Sequence, residues 1–379
     1  VVLDNKPSDN VTVSITGDDS TEHQLSASSL TFTTSNWNTA QTVTVTGVDD
    51  NLDDGDITTT ITATASSSGG FTGSEAASIT VKTTDDDTAG ITIAQASTPL
   101  VTTEAGSTAS FTVVLDAKPT DNVTVSITGD DSTEHQLSTS SLTFTTSNWN
   151  TAQTVTVTGV DDSTVDGDIT TTITATASNT GGYAGTETAT ATLKTSDDDT
   201  AGITIAQAST PLVTTEAGST ASFTVVLDAK PTDNVTVSIT GDDSTEHQLS
   251  TSSLTFTTSN WNTAQTVTVT GVDDSLDDGD ITTTITATAS NTGGYAGTET
   301  ATATLKTSDD DTAGITIAQA STPLVTTEAG STASFTVVLD AKPTDNVTVS
   351  ITGDDSTEHQ LSASSLTFTT SNWNTAQTV

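Results

Sequence analysis

Cysteine and methionine are both absent from the 379 residues, so no disulfide staples the fold, and the redox compartment stays open. Basic residues are scarce as well: 7 Lys and Arg stand against 49 Asp and Glu, a formal net charge of -42. Phosphate binding needs Lys and Arg, so this deficit argues against nucleic acid and anionic membranes as partners. No run of about 18 apolar residues occurs, so no membrane insertion by a helix is expected in this segment. No signal peptide or sorting tail is visible. Aromatic residues make up only 4% of the chain. Many acids with few aromatics can mark disorder. Against that stands the alternation of Thr, Val and Ile through most of the sequence, the period-2 signature of half-buried strands. Helical periodicity of useful length is missing.

What the chain does have is repetition. Val113-Val114-Leu115-Asp116 recurs as Val225-Val226-Leu227-Asp228 and as Val337-Val338-Leu339-Asp340, a spacing of 112 residues, and the same phrase opens the chain at Val1. Units this long at a fixed period predict a string of like domains. The boundaries fall at 1–87, a partial repeat; 88–199 and 200–311, two complete ones; and 312–379, a second partial repeat. Starting and stopping in mid-repeat is expected of a window from something longer. Near-identical copies in series give length, stiffness or multivalency, whereas an enzyme needs one site.

Within 88–199 the alternation predicts seven strands: about 90–94, 108–115, 122–128, one holding Leu142 and Phe144, 153–158, 169–177 and 188–194. Seven short strands in about 110 residues predict an all-β, immunoglobulin-like sandwich. Alternate loops of such a walk lie at opposite poles. Glu104, the 161–168 loop and the closing Asp197-Asp198-Asp199 then share one pole, with Asp130, Asp131 and Glu134 of the 129–134 loop beside them. Carboxylates packed this closely repel by several kcal/mol without counter-charge. Each complete unit holds two lysines, Lys118 and Lys194 in this one, which cannot neutralise them. Hard divalent cations can, and Ca²⁺, with 6–8 oxygen ligands in tolerant geometry, suits Asp-rich loops better than Mg²⁺.

Each feature also has a plainer reading. The terminal Asp run taken alone fits a solvated linker. Positions 53, 165 and 277 read Asp, Val and Asp, so no ligand is required there, whereas Asp54, Asp166 and Asp278 are present in every such loop. The loop is no EF-hand, because Leu52 and Leu276 break the alternation of oxygen ligands. His135, one per unit with no second soft ligand, reads as a loop residue rather than a zinc ligand. Trp149 reads as a core cap in preference to junction padding, and Gly181-Gly182-Tyr183 as a hairpin turn with its ring tucked onto the sheet in preference to a sugar-contacting tip. No nucleophile elbow and no phosphate loop occurs, so no enzyme activity is expected.

Several stretches together resemble a Calx-β domain, in the variant strung in long arrays along giant bacterial surface proteins and adhesins. They are Val101-Thr102-Thr103-Glu104-Ala105-Gly106, Leu142-Thr143-Phe144, Ser147 through Val155, Val160-Asp161-Asp162 with Asp166, and Asp197-Asp198-Asp199. The resemblance implies calcium binding at one end of each sandwich by Glu104, Asp161, Asp162, Asp166, Asp197, Asp198 and Asp199. The next unit carries the same set as Glu216, Asp273, Asp274, Asp278, Asp309, Asp310 and Asp311. The partial units supply Asp49, Asp50, Asp54, Asp85, Asp86, Asp87 and Glu328. The family usually has a Glu where Asp166 stands, which leaves coordination number open.

The next unit begins directly after each Asp run, so a filled site is expected to tie three loops to the connector and stiffen the array. The expectation is a structural extender or stalk of a bacterial surface adhesin, or the body of an extracellular filament. Its partners would be neighbouring repeats and, in a filament, like chains. The alternative is a repeated module that binds carbohydrate or matrix by avidity.

Overall fold

The computed structural model describes all 379 residues and contains strands, turns and no helix. The chain divides into two compact units: Val1–Asp162 with Asp168–Asp198, and Ser163–Gly167 with Asp199–Val379.

In the second unit, residues 200–311 fold into a two-sheet sandwich. One sheet runs Ile203–Gln207, Thr220–Leu227, Gln265–Gly271, His247–Leu249. The other runs Leu212–Thr215, Thr300–Ser308, Ile281–Ala289, Val235–Thr240, Ser253–Phe256. All neighbours are antiparallel except Leu212–Thr215, which pairs parallel with Thr300–Ser308. Alternation explains the layering. Val235, Val237 and Ile239 point inward, and the residues between them are exposed. The register sets Val237 against Leu254 on one side and Ala289 on the other, so small and large side chains interleave. Phe223, Phe256, Val267, Val269, Ile285 and Leu305 complete the core, with Trp261 packed at its edge. Each buried aliphatic or Phe side chain contributes about 1.5–3 kcal/mol of transfer free energy.

In the first unit, residues 88–198 repeat this plan with sheets of four and five strands. Residues 1–87 form a four-stranded sheet and a separate strand pair. In the second unit, residues 312–379 form a three-stranded and a two-stranded sheet.

Two differences from the sequence reading matter. Each complete repeat has nine strands, because Leu100–Thr103 and His135–Leu137, with their copies Leu212–Thr215 and His247–Leu249, pair as short edge strands. The histidine is therefore no loop residue. His247 opens its strand, is fully buried, and sets Nε2 2.8 Å from the carbonyl of Gly241. Trp149 and Tyr183 do pack onto the core of their repeat.

Candidate metal centre

The edge strand Leu212–Thr215 delivers Glu216 to the end of the sandwich, where its N–H donates to the Ser308 carbonyl at 3.1 Å. The close approach depends on Gly271. A Cβ there would lie 2.0 Å from the Thr215 carbonyl oxygen, so only glycine lets the two backbones meet. Glu216 is 1% exposed, and its Oε2 has no hydrogen-bond partner. Glu246, at the start of the His247–Leu249 strand, is 5% exposed and also leaves Oε2 without a partner. Orphaned buried carboxylate oxygens are costly unless a cation completes them.

The acidic loop 273–280 closes over these two side chains. Asp274 accepts the Leu276 N–H at 2.6 Å, which folds the loop back on itself. Gly279, at φ +80°, supplies the left-handed turn and donates its N–H to Asp309 Oδ2 at 2.7 Å. Asp309 Oδ1 in turn accepts the Asp311 N–H at 2.8 Å, aligning the terminal run. Two clusters result, Glu216–Glu246–Asp278 and Glu216–Asp274–Asp311, and each offers three carboxylate oxygens within 4.8 Å of one another. Oxygens on opposite sides of a calcium ion, each about 2.4 Å from it, are separated by about that distance. Glu216 belongs to both clusters, so its carboxylate can bridge two ions.

Electrostatics shows the same strain. Burial, then repulsion from Asp309, Glu246, Asp274 and Asp278, pushes the Glu216 carboxyl up to about 7. Burial first and neighbouring carboxylates second also raise Glu246, Asp278 and Asp311. The one nearby lysine does not relieve them: Lys306 pairs with Asp280 at the loop's far edge and holds that carboxyl low. The donor set of both clusters is all carboxylate oxygen, which fits calcium rather than zinc.

In residues 1–87, Glu22, Asp50 and Asp54 form a similar cluster. Asp85 accepts the Gly55 N–H at 2.7 Å and the Asp87 N–H at 2.9 Å, repeating the loop-to-run links. Asp49 and Asp86 are exposed beside it, as Asp273 and Asp310 are in the later repeat. In residues 88–199, Glu104 and Glu134 are buried, 1% and 4% exposed, and the Glu104 N–H donates to Ser196. Asp161 and Asp162 follow the Gln153–Gly159 strand, Asp197 and Asp198 follow Thr188–Ser196, and Asp166 and Asp199 belong to the second unit. Glu328 is exposed in a turn.

Sequence reasoning missed one group and overvalued another. Glu134 was placed at this pole but not nominated as a ligand, and its equivalents Glu22 and Glu246 were not singled out, though each sits one residue before the buried histidine. Asp130 and Asp131 were counted among the converging acids. Asp130 instead accepts the Leu137 N–H at 2.7 Å, and Asp131 accepts the Thr133 hydroxyl at 2.7 Å. They shape the turn.

No family model and no curated protein matches the chain. Among solved structures it is similar to tandem β-domain proteins. The protocadherin gammaB7 EC3-6 cis-dimer shows 15% identity over 82% of this chain and 68% of that one, with a TM-score of 0.33. Mouse cadherin-23 EC22-24 shows 15% identity over 82% and 95%, at 0.30. CBD12 from CALX1.2 shows 18% identity over 50% and 77%, at 0.23. TM-scores of this size carry no argument about function, which rests on the chain's own residues.

Proposed function

We propose that this chain is a calcium-stiffened extender: the repeated stalk of a bacterial surface adhesin, or the body of an extracellular filament. The observation that carries the reading is Glu216, a buried carboxylate shared by two oxygen clusters and left with an unpartnered oxygen at the end where the chain leaves for the next repeat. Bound calcium would be held by Glu216, Glu246, Asp274, Asp278 and Asp311 here, and by Glu22, Asp50 and Asp54 in the first repeat. It would supply the counter-charge that three lysine pairs, all at Asp56, Asp168 and Asp280, do not give. Extracellular modules of this type bind calcium at about 10⁻⁴–10⁻³ M, a concentration found outside cells and not in cytosol.

The glycan-binding alternative has less support. Tyr295 is 2% exposed and donates its hydroxyl to the Ala229 carbonyl at 2.7 Å, so the glycine hairpin offers no free ring for a sugar to stack on. No helix is long and apolar enough to cross a membrane.

X-ray scattering of the 379-residue chain tests the proposal. With calcium the maximum dimension should be larger and more sharply defined than in chelator, at unchanged strand content by circular dichroism. Identical profiles in both conditions, or retention on a glycan surface that grows with repeat number, would count against an extender.

A further inference from the structure

The acidic loop has a second face. In 273–279, Asp274 and Asp278 belong to the carboxylate clusters. The residues between them reach the other way, into the following repeat. The Ser275 carbonyl accepts the Lys342 N–H at 2.7 Å, Leu276 forms a parallel β-bridge with Lys342, and Asp277 Oδ2 accepts the Ala313 N–H at 2.7 Å. The first unit repeats the arrangement: Asn51 accepts from Lys118 at 2.7 Å, Leu52 bridges Lys118, and Asp53 Oδ2 accepts from Ala89 at 2.7 Å, while Asp50 and Asp54 join Glu22.

The receiving side is built as well. Tyr183 is 3% exposed, donates its hydroxyl to the Ala117 carbonyl at 2.8 Å, and lies 3.4 Å from the Gly90 carbonyl. Ala117 and Gly90 are the chain neighbours of Lys118 and Ala89, the two residues whose N–H groups meet the acidic loop. One buried hydroxyl therefore fixes the spacing of both donors. The ring alone suffices for packing, since Phe71 fills the same place in the first repeat without a hydroxyl.

We propose that the acidic loop couples metal binding to repeat docking, with Asp53 and Asp277 as junction clamps rather than metal ligands and Tyr183 as a positioning residue of the socket. This rests on the calcium reading above. An ion that orders Asp274 and Asp278 orders the three residues between them, and so presents the Ser275 carbonyl and the Asp277 carboxylate to the next repeat. The clamp also accounts for the variable position: Val165 has no carboxylate to offer and instead donates its backbone N–H to the Lys230 carbonyl at 2.9 Å.

Amide hydrogen exchange on the full chain tests this, read at Ala313 and Lys342. Asp340, whose N–H bonds Gly314 within its own repeat, serves as the control. Calcium should slow exchange at Ala313 and Lys342 by at least about tenfold relative to Asp340, the equivalent of one charge-assisted hydrogen bond. Asp277→Ala should remove the slow exchange at Ala313 and leave the calcium stoichiometry unchanged, with affinity lower by no more than the same factor because coupling is reciprocal, whereas Asp277→Asn, which keeps an acceptor oxygen, should retain the slow exchange. Tyr183→Phe should speed exchange at Ala89 and Lys118 with the melting temperature nearly unaltered. If calcium binds but leaves Ala313 and Lys342 unaffected, the coupling is refuted. If Asp277→Ala lowers calcium stoichiometry, Asp277 is a ligand and the clamp is refuted. A chain that takes up no calcium overturns the extender reading itself, and the metal-linked half of this inference with it.

Discussion

At the scale of single residues, the account turns on carboxylates that the fold keeps out of water without giving them a cation. Glu216 is the clearest, and its raised pKa makes a signed prediction. The folded chain holds a proton that the unfolded chain releases between about 4.5 and 7, so without metal, stability falls as pH rises through that window. The loss is on the order of 3 kcal/mol once the pH exceeds 7. In chelator, the melting temperature should drop between pH 5 and pH 8, and saturating calcium should flatten the dependence by taking the proton's place. A melting temperature that climbs over this range in chelator would contradict the assignment. The partnered acids do not interfere, because Asp243, held low by Thr245, and Asp280, held low by Lys306, titrate below this window. Glu246→Gln tests the ligand that sequence reasoning passed over. Removing one of these mutually repelling carboxylates should raise the melting temperature in chelator and shrink the increase that calcium gives. An unchanged calcium response would place Glu246 outside the site.

At the scale of elements, most of the sandwich was legible because period-2 alternation is a direct consequence of one face being buried. The strands at 108–115 and 169–177 agree with the sequence reading to the residue. The two short edge strands, Leu100–Thr103 and His135–Leu137 with their copies, escaped it. Leu212–Thr215 is held by a parallel pairing with Thr300–Ser308, a partner 93 positions away that no local pattern encodes. That strand carries Glu216 into the site, so its seating can be tested. Gly271→Ala would drive a Cβ into the Thr215 carbonyl and should cost about 1–3 kcal/mol by urea denaturation. It should also weaken calcium binding by shifting Glu216. A neutral outcome would mean that the edge strand tolerates displacement. Ile285→Ala, in the core and remote from the acids, provides a contrast: about 2–5 kcal/mol of stability lost, with calcium affinity retained.

At the scale of the whole molecule, repetition was the most legible property and the site was less so. Chain order shows that Glu216, the 273–278 loop and the 309–311 run share a pole. It does not show that Glu216 is shared by two clusters, or that Asp242 and Asp243 are taken up in shaping their own turn. Those outcomes depend on side-chain direction, which the spacing of residues along the chain leaves free. Calorimetric titration of calcium into metal-stripped 379-residue chain, beside its Glu216→Gln variant, tests that sharing most directly. Wild type should bind saturably at about 10⁻³ M or tighter, and the variant should lose more than one ion, because the substitution removes an oxygen from two clusters at once. Heats of dilution alone, or identical isotherms for the two proteins, would show that no metal bridges these loops.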